Sequence, residues 1–231
     1  MKSKNETNNP TKEPESLSRR SAIITAGAGV VAAVGATSQT SAAESATNKN
    51  ALNMDGATSL ITGGARGIGL ASAIALAKEG SNIVLYDVAE DLPGVNYPLA
   101  RESDLSEARE KIESHGVKCS VYKGDVRDRN RMSQVVGETV EQFGSLDHVV
   151  VNAGVTQIGM IEYFTDEEVQ TVIDINVTGA VRTVQSVVPI MREQNSGGIT
   201  IISSVLGRQG EEWFPIYSAT KWAVIGLAKS T

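Results

Sequence analysis

Tyr217 and Lys221, four residues apart near the end of the chain, form its most reactive pairing. In a helical stretch that spacing puts both side chains on one face. A free tyrosine has a pKa of about 10, too high for a base at neutral pH. A neighbouring ammonium favours the phenolate and lowers that value. Such a pair can pass a proton to or from a substrate oxygen, which is general acid–base catalysis. Upstream stands Ser204, just past an apolar run, a hydroxyl able to hydrogen-bond an oxygen and steady developing charge. Ser203 competes for that role. Asn176 lies inside a helical pattern, Asp174-Ile175-Asn176-Val177, where asparagine is a poor helix former, so a functional reason is expected of it.

A second cluster points to phosphate. Thr62-Gly63-Gly64-Ala65-Arg66-Gly67-Ile68-Gly69 follows an apolar run and opens an Ala-rich helix. Glycine there permits a tight turn, close approach of backbone to a pyrophosphate, and helix–strand packing. The helix N-terminus offers free N–H groups and positive dipole to the phosphates. A strand before the loop and a helix after it is the context this motif requires. Asp87 ends the next apolar run, 18 residues after Gly69. A carboxylate there accepts both adenosine ribose hydroxyls and repels a 2′-phosphate, which favours NAD over NADP. Arg66 argues the other way, since a basic residue in this loop can meet a 2′-phosphate. Like charge at contact distance costs more than a mobile arginine gains, so Asp87 decides for NAD. An oxidised nicotinamide ring then gives Tyr217 a second reason to ionise, and Lys221 can hold the ribose hydroxyls beside that ring.

These residues sit at the ends of alternating strand and helix patterns. Strand patterns cover 58–62, 82–86, 118–122, 147–151 and 199–203. Helix patterns cover 68–79, 103–114, 128–143 (opened by an Asp cap), 165–195 and 215 to about 229. Gly80, Gly116 and Gly144 stop the first three helices. The strands are short and nearly all apolar, as expected when both faces are covered. This alternation implies an α/β fold, a parallel sheet with helices on both sides.

Composition narrows the function further. The 231 residues carry 21 Lys+Arg against 27 Asp+Glu, one cysteine and two histidines. An acidic chain argues against nucleic-acid binding. One cysteine excludes a disulfide framework; with two histidines a metal site would have to be mostly carboxylate, and neither His115 nor His148 has a ligand partner in sequence, so no metal is expected. No apolar run reaches the roughly 20 residues of a membrane span. Residues 1–54 carry a net charge of +2 and residues 55–231 a net of −8. The first segment opens polar to Ser18 and continues Arg19-Arg20, then an Ala/Gly/Val-rich run over 22–37, then small residues around 41–46. That order reads as a secretory leader of the twin-arginine kind and predicts export. Cys119 is expected in the core. Trp213 and Phe214 either wall a substrate pocket or pack on the last helix.

Taken with Asp125-Val126, Asn152-Ala153-Gly154 and Tyr217-Ser218-Ala219-Thr220-Lys221, the TGxxxGxG loop resembles the short-chain dehydrogenase/reductase family from residue 55 to 231. The resemblance implies a Rossmann-type three-layer sandwich and an active site of Asn176, Ser204, Tyr217 and Lys221. Ser204 stands 13 residues before Tyr217, the family's spacing, and the resemblance gives its hydroxyl the role of hydrogen-bonding the substrate oxygen. The same resemblance makes Asn176 the anchor of a water relay to Lys221. It assigns NAD to Thr62, Gly63, Arg66, Gly67, Ile68, Gly69, Asp87, Asp125, Val126, Asn152, Ala153, Gly154, Tyr217 and Lys221, with Asp125 and Val126 at the adenine. It implies NAD-dependent interconversion of an alcohol and a ketone or aldehyde, in a homodimer or homotetramer. A non-catalytic nucleotide-binding chain is the alternative. Two departures stand out. Residues 90–104 form an extra stretch similar to the insertion of a mycofactocin-associated subgroup, in which NAD is held without exchange. Family members also continue with two more strands, so the chain reads as C-terminally truncated at Thr231, with its fifth strand at the sheet edge.

Overall fold

The computed structural model describes residues 53–231. The leader read at 1–54 therefore lies outside the described residues except for Asn53 and Met54. In chain order the elements are β1 (Thr58–Thr62), α1 (Gly67–Lys78), β2 (Asn82–Asp87), α2 (Glu102–Glu113), β3 (Cys119–Lys123) and α3 (Arg129–Phe143). They continue with β4 (His148–Val151), α4 (Asp166–Ile173), α5 (Ala180–Gln194), β5 (Gly198–Ile201) and α6 (Pro215–Ser230). The strands form one parallel sheet in the order β3-β2-β1-β4-β5. Strand order reverses between β1 and β4, which leaves a crevice outside their carboxyl ends.

Side chains alternate along β1, so adjacent residues feed two different cores. Leu60 joins Val84 and Val149 against Met132 and Val135 of α3 and Val184 and Val187 of α5. Ile61 joins Ile83 and Val150 on the other face, against Ala73 and Ala77 of α1 and Leu105, Ala108 and Ile112 of α2. Each such fully buried aliphatic side chain contributes about 1.5–3 kcal/mol. Covering both faces is what made the strands read as unbroken apolar runs. Among the described residues no helix is long and apolar enough to cross a membrane.

Local chemistry sets most boundaries. Asp128 caps α3 by accepting the Arg131 N–H at 3.0 Å, and Gly144 closes it in the left-handed conformation. Pro215 opens α6, where its missing N–H is no loss. The long helix expected over 165–195 is three pieces. A capping box between Thr165 and Glu168 starts α4, a wider π turn spans Asp174–Gly179, and α5 follows. The fifth strand ends at Ile201 rather than at residue 203. Ile202 still donates to Val151 O at 2.9 Å, but its carbonyl accepts Lys221 Nζ at 2.9 Å, so the chain leaves the ladder there.

Residues 88–101 run between β2 and α2 without repetitive structure. Their apolar members Leu92, Val95, Tyr97 and Leu99 pack against the Leu60 core. The segment crosses the open end of the crevice as a strap. Thr171 Oγ1 donates to Pro93 O at 3.2 Å, the Gln157 amide donates to Gly94 O, and Arg66 donates to Pro98 O at 2.8 Å. Gly94 is required where it meets α4: its φ is +75°, and a Cβ there would lie 2.6 Å from Thr171 Oγ1.

Candidate functional site

A cleft of about 310 Å³ opens where the strands end, lined by residues that directly follow β1, β2, β3, β4 and β5. Of the predicted residues, Gly63, Arg66, Ile68, Asp87, Asp125, Val126, Asn152, Ala153, Gly154, Tyr217 and Lys221 line it. Thr62, Gly67, Gly69, Asn176 and Ser204 are not among its lining residues.

Thr62 stands behind the wall of the cleft. Its Oγ1 accepts the N–H groups of Asn152 and Ala153 at 3.0 and 3.2 Å, which joins the end of β1 to the end of β4. Asn152 answers by donating Nδ2 to Thr62 O and Gly63 O, both at 3.0 Å. The glycine loop is thus pinned to the sheet by one amide. Gly69 packs under it so closely that a Cβ would overlap the Gly63 carbonyl oxygen. Gly67 has φ +59°, the left-handed conformation glycine enters at no steric cost. No side chain caps α1, which leaves its first-turn N–H groups without a side-chain partner beside the cleft that Arg66 and Ile68 line.

Asp87 is buried at the end of β2, and its two oxygens accept Ala65 N–H and Ala89 N–H, each at 3.1 Å. Each oxygen keeps lone-pair capacity for a further donor. Arg66 does not sit free beside it, because the Pro98 carbonyl holds its guanidinium. Asp125 is committed to its own neighbour, with Arg127 Nε and Nη2 at 2.8 and 2.6 Å. That ion pair raises the Arg127 pKa, the hydrogen bond to Asp125 being the main cause. Tyr86 braces the same turn by donating to Asp125 O at 2.9 Å, and burial pushes its phenol well above the usual tyrosine range.

The reactive pair lies at the other end of the cleft. Lys221 is only 6% exposed, and its Nζ donates to Ile202 O while standing 5.5 Å from the Tyr217 ring centre. Burial lowers the Lys221 pKa. Phe214 packs edge-on against Tyr217, with ring centres 6.4 Å apart, whereas Trp213 is half-exposed. Burial raises the Tyr217 pKa, and a hydrogen bond from the Ser204 hydroxyl opposes it. The lowering expected from the ammonium does not set the direction here; burial of Tyr217 does. Of the two candidate serines, Ser203 lines the cleft and donates to Lys221 O at 2.9 Å, while the Ser204 hydroxyl accepts Leu206 N–H at 3.2 Å and acts on the Tyr217 phenol.

Asn176 is buried in the π turn, which turns its amide toward the end of β4. Its Oδ1 accepts Val155 N–H at 2.8 Å, and Nδ2 donates to Val155 O at 2.8 Å and Thr220 Oγ1 at 3.0 Å. Both amide protons are therefore committed within the protein. The strap residues Leu92, Leu99 and Ala100 also line the cleft and were not singled out from the sequence. Their signal was the alternation of Leu92, Val95, Tyr97 and Leu99 in an otherwise polar insertion.

A family model described as short chain dehydrogenase matches residues 57–231. An uncharacterised NAD-dependent oxidoreductase of Mycobacterium tuberculosis is 38% identical over 180 residues, covering 77% of this chain and 66% of that protein. The crystal structure of a short chain dehydrogenase from Mycobacterium paratuberculosis bound to NAD is similar, with TM-score 0.75 and 38% identity over 77% of this chain and 66% of that one. So is that of carveol dehydrogenase from Mycobacterium avium in complex with NAD, with TM-score 0.74 and 34% identity over 77% and 65%. The chain thus spans a little under two thirds of the length of these relatives.

Proposed function

The chain belongs to the short-chain dehydrogenase family, and on that premise we propose that it is an NAD-dependent oxidoreductase interconverting an alcohol with a ketone or aldehyde. One observation carries the reading: half-buried Tyr217 and buried Lys221 line one end of the cleft whose other end is the glycine loop, with Ser204 close behind the phenol. The NAD-bound relatives support the cofactor, and the similarity to carveol dehydrogenase supports an alcohol as substrate.

The residues present fit a dinucleotide. The positions of Gly63 and Gly69 exclude a Cβ, the start of α1 is uncapped beside the cleft, and Asp87 offers acceptors at the end of β2. The first of these holds the phosphates by backbone approach, and Asp87 holds the adenosine ribose. Lys221, at the far end, holds the other ribose. When bound, NAD supplies the hydride acceptor.

The chain's own residues then handle the proton. Ser204 donates to the substrate oxygen and orients it toward Tyr217. Tyr217 takes the alcohol proton in oxidation and returns one to the carbonyl in reduction. Lys221 stabilises the phenolate while that charge exists, in a site where burial excludes water and strengthens the attraction. Asn176 holds Val155 and so fixes the loop that forms the cleft wall. Crossing from the glycine loop to α4, the strap covers the cleft beside the adenosine end, where it would slow exchange of NAD.

The test is Tyr217→Phe, which removes one oxygen and leaves the ring against Phe214. With a panel of secondary alcohols, turnover should fall by about 10²–10⁴-fold. NAD affinity by calorimetry should be retained. Turnover close to the parent chain's refutes the reading.

A further inference from the structure

The strap touches the catalytic machinery through one hydroxyl. Tyr97 Oη accepts the Thr156 N–H at 3.0 Å, a contact across 59 residues. Burial raises the Tyr97 pKa, so the phenol is neutral at physiological pH and its oxygen stays an acceptor. Thr156 follows Val155, whose N–H and carbonyl both bond the Asn176 amide at 2.8 Å. Asn176 donates to Thr220 Oγ1 at 3.0 Å, and Thr220 Oγ1 donates to Tyr217 O at 2.7 Å. Asn176 and Thr220 are each only 2% exposed, so water does not replace a broken link cheaply.

From this unbroken line we propose that Tyr97 is a positioning residue: its hydroxyl anchors Thr156 and, through Val155, Asn176 and Thr220, sets the backbone that presents Tyr217. The strap therefore does more than cover the cleft; it holds the turn of α6 that carries the phenol. Arg66 and Thr171 also tie the strap down, from α1 and α4, and Gln157, next to Thr156, ties it through a side chain on Gly94 O. Tyr97 differs in gripping the backbone of the residue next to Val155.

Only the kinetic arm of the test rests on the dehydrogenase reading. Tyr97→Phe in the full 231-residue chain deletes the hydroxyl and keeps the ring. In nitrogen-labelled protein, the Thr156 amide should lose about tenfold in exchange protection. The signals of Val155, the Asn176 side-chain amide, Thr220 and Tyr217 should shift, and Ala65 should not. Shifts confined to the strap and Thr156 overturn the proposal. In turnover, kcat should fall about tenfold with KM for NAD held within about twofold. Thr220→Val breaks the same line, so the double variant should be no worse than the more damaging single change, within about twofold. Additive losses, or a kcat loss matched by lost NAD binding, also overturn it. A parent chain without turnover on any alcohol sinks the dehydrogenase reading instead and leaves the spectra to judge Tyr97.

Discussion

Gly69→Ala should damage both stability and NAD binding, because no neighbour can yield to the new methyl. An alanine Cβ at this position overlaps the Gly63 carbonyl oxygen and lies 2.7 Å from Asn152 Nδ2 and 2.9 Å from the Gly63 carbonyl carbon. Comfortable contacts are about 3.5–4.0 Å, so the start of α1 must retreat by about 1 Å. Overpacking costs about 1–3 kcal/mol, and two of the three obstacles here are backbone, which places the change near the top of that range. At about 2–4 °C per kcal/mol for a unit of this size, Tm should fall by about 6–12 °C. The same retreat misaligns the N–H groups beside the cleft. Losing one charge-assisted hydrogen bond is worth about 1.5–3 kcal/mol, or about 10- to 100-fold in Kd for NAD. Gly137→Ala is the control: its Cβ meets nothing within 4 Å on the exposed side of α3. It should raise stability by about 0.8–1.0 kcal/mol and leave NAD binding alone. Calorimetry and a thermal melt read both. A Gly69→Ala chain that binds NAD within about threefold of the parent refutes the packing argument and the cradle with it.

Two further outcomes follow from the buried titrating groups. Burial holds Tyr217 above the ordinary tyrosine pKa, so the folded site keeps its proton through neutral pH. Oxidation, which needs the base form, should then speed up with rising pH by about tenfold per unit until Tyr217 ionises. Reduction, which needs the acid form, should stay flat and fall only in alkali; an oxidation rate level from about pH 6 to 9 contradicts this. Cys119 is 5% exposed, and burial pushes its thiol up to about 12. At pH 8 its thiolate is about one part in 10⁴, so iodoacetamide should leave the native chain unlabelled and modify it fully in guanidinium. Rapid labelling of the folded protein would show that the packing around β3 is looser than described.

Features decided by neighbours in sequence were legible there, and those decided by distant contacts were not. Asp128 and Gly144 bound α3 because a side-chain cap and a left-handed glycine act within one turn. Strand–loop–helix order around Gly63–Gly69 was equally plain, since glycine at those spacings has few other uses. The π turn at Asp174–Gly179 was hidden, because hydrophobic periodicity cannot register one extra residue per turn. That turn is where Asn176 sits, a poor helix former whose amide bonds Val155 and Thr220. Ser203 and Ser204 are adjacent and identical in type, and only the fold gives them different partners, Lys221 O for one and Leu206 N–H for the other. The path of the strap was out of reach for the same reason, since Tyr97 finds Thr156 and Gln157 finds Gly94 across about sixty residues.

The central strand has a consequence for how the molecule comes together. β1 meets β2 from Thr58↔Asn82 onward and meets β4 from Ser59↔His148 onward, the latter across a far longer stretch of chain. Closing the longer loop costs about 1 kcal/mol more in chain entropy. Pairings between distant segments are also the slow ones in folding. The β1–β2–β3 half can therefore zip during synthesis, while one edge of β1 waits for β4 with its hydrogen-bonding groups unpaired. The crevice between β1 and β4 comes into being only at that late step, so a nucleotide can stabilise the finished sheet but cannot template its first half.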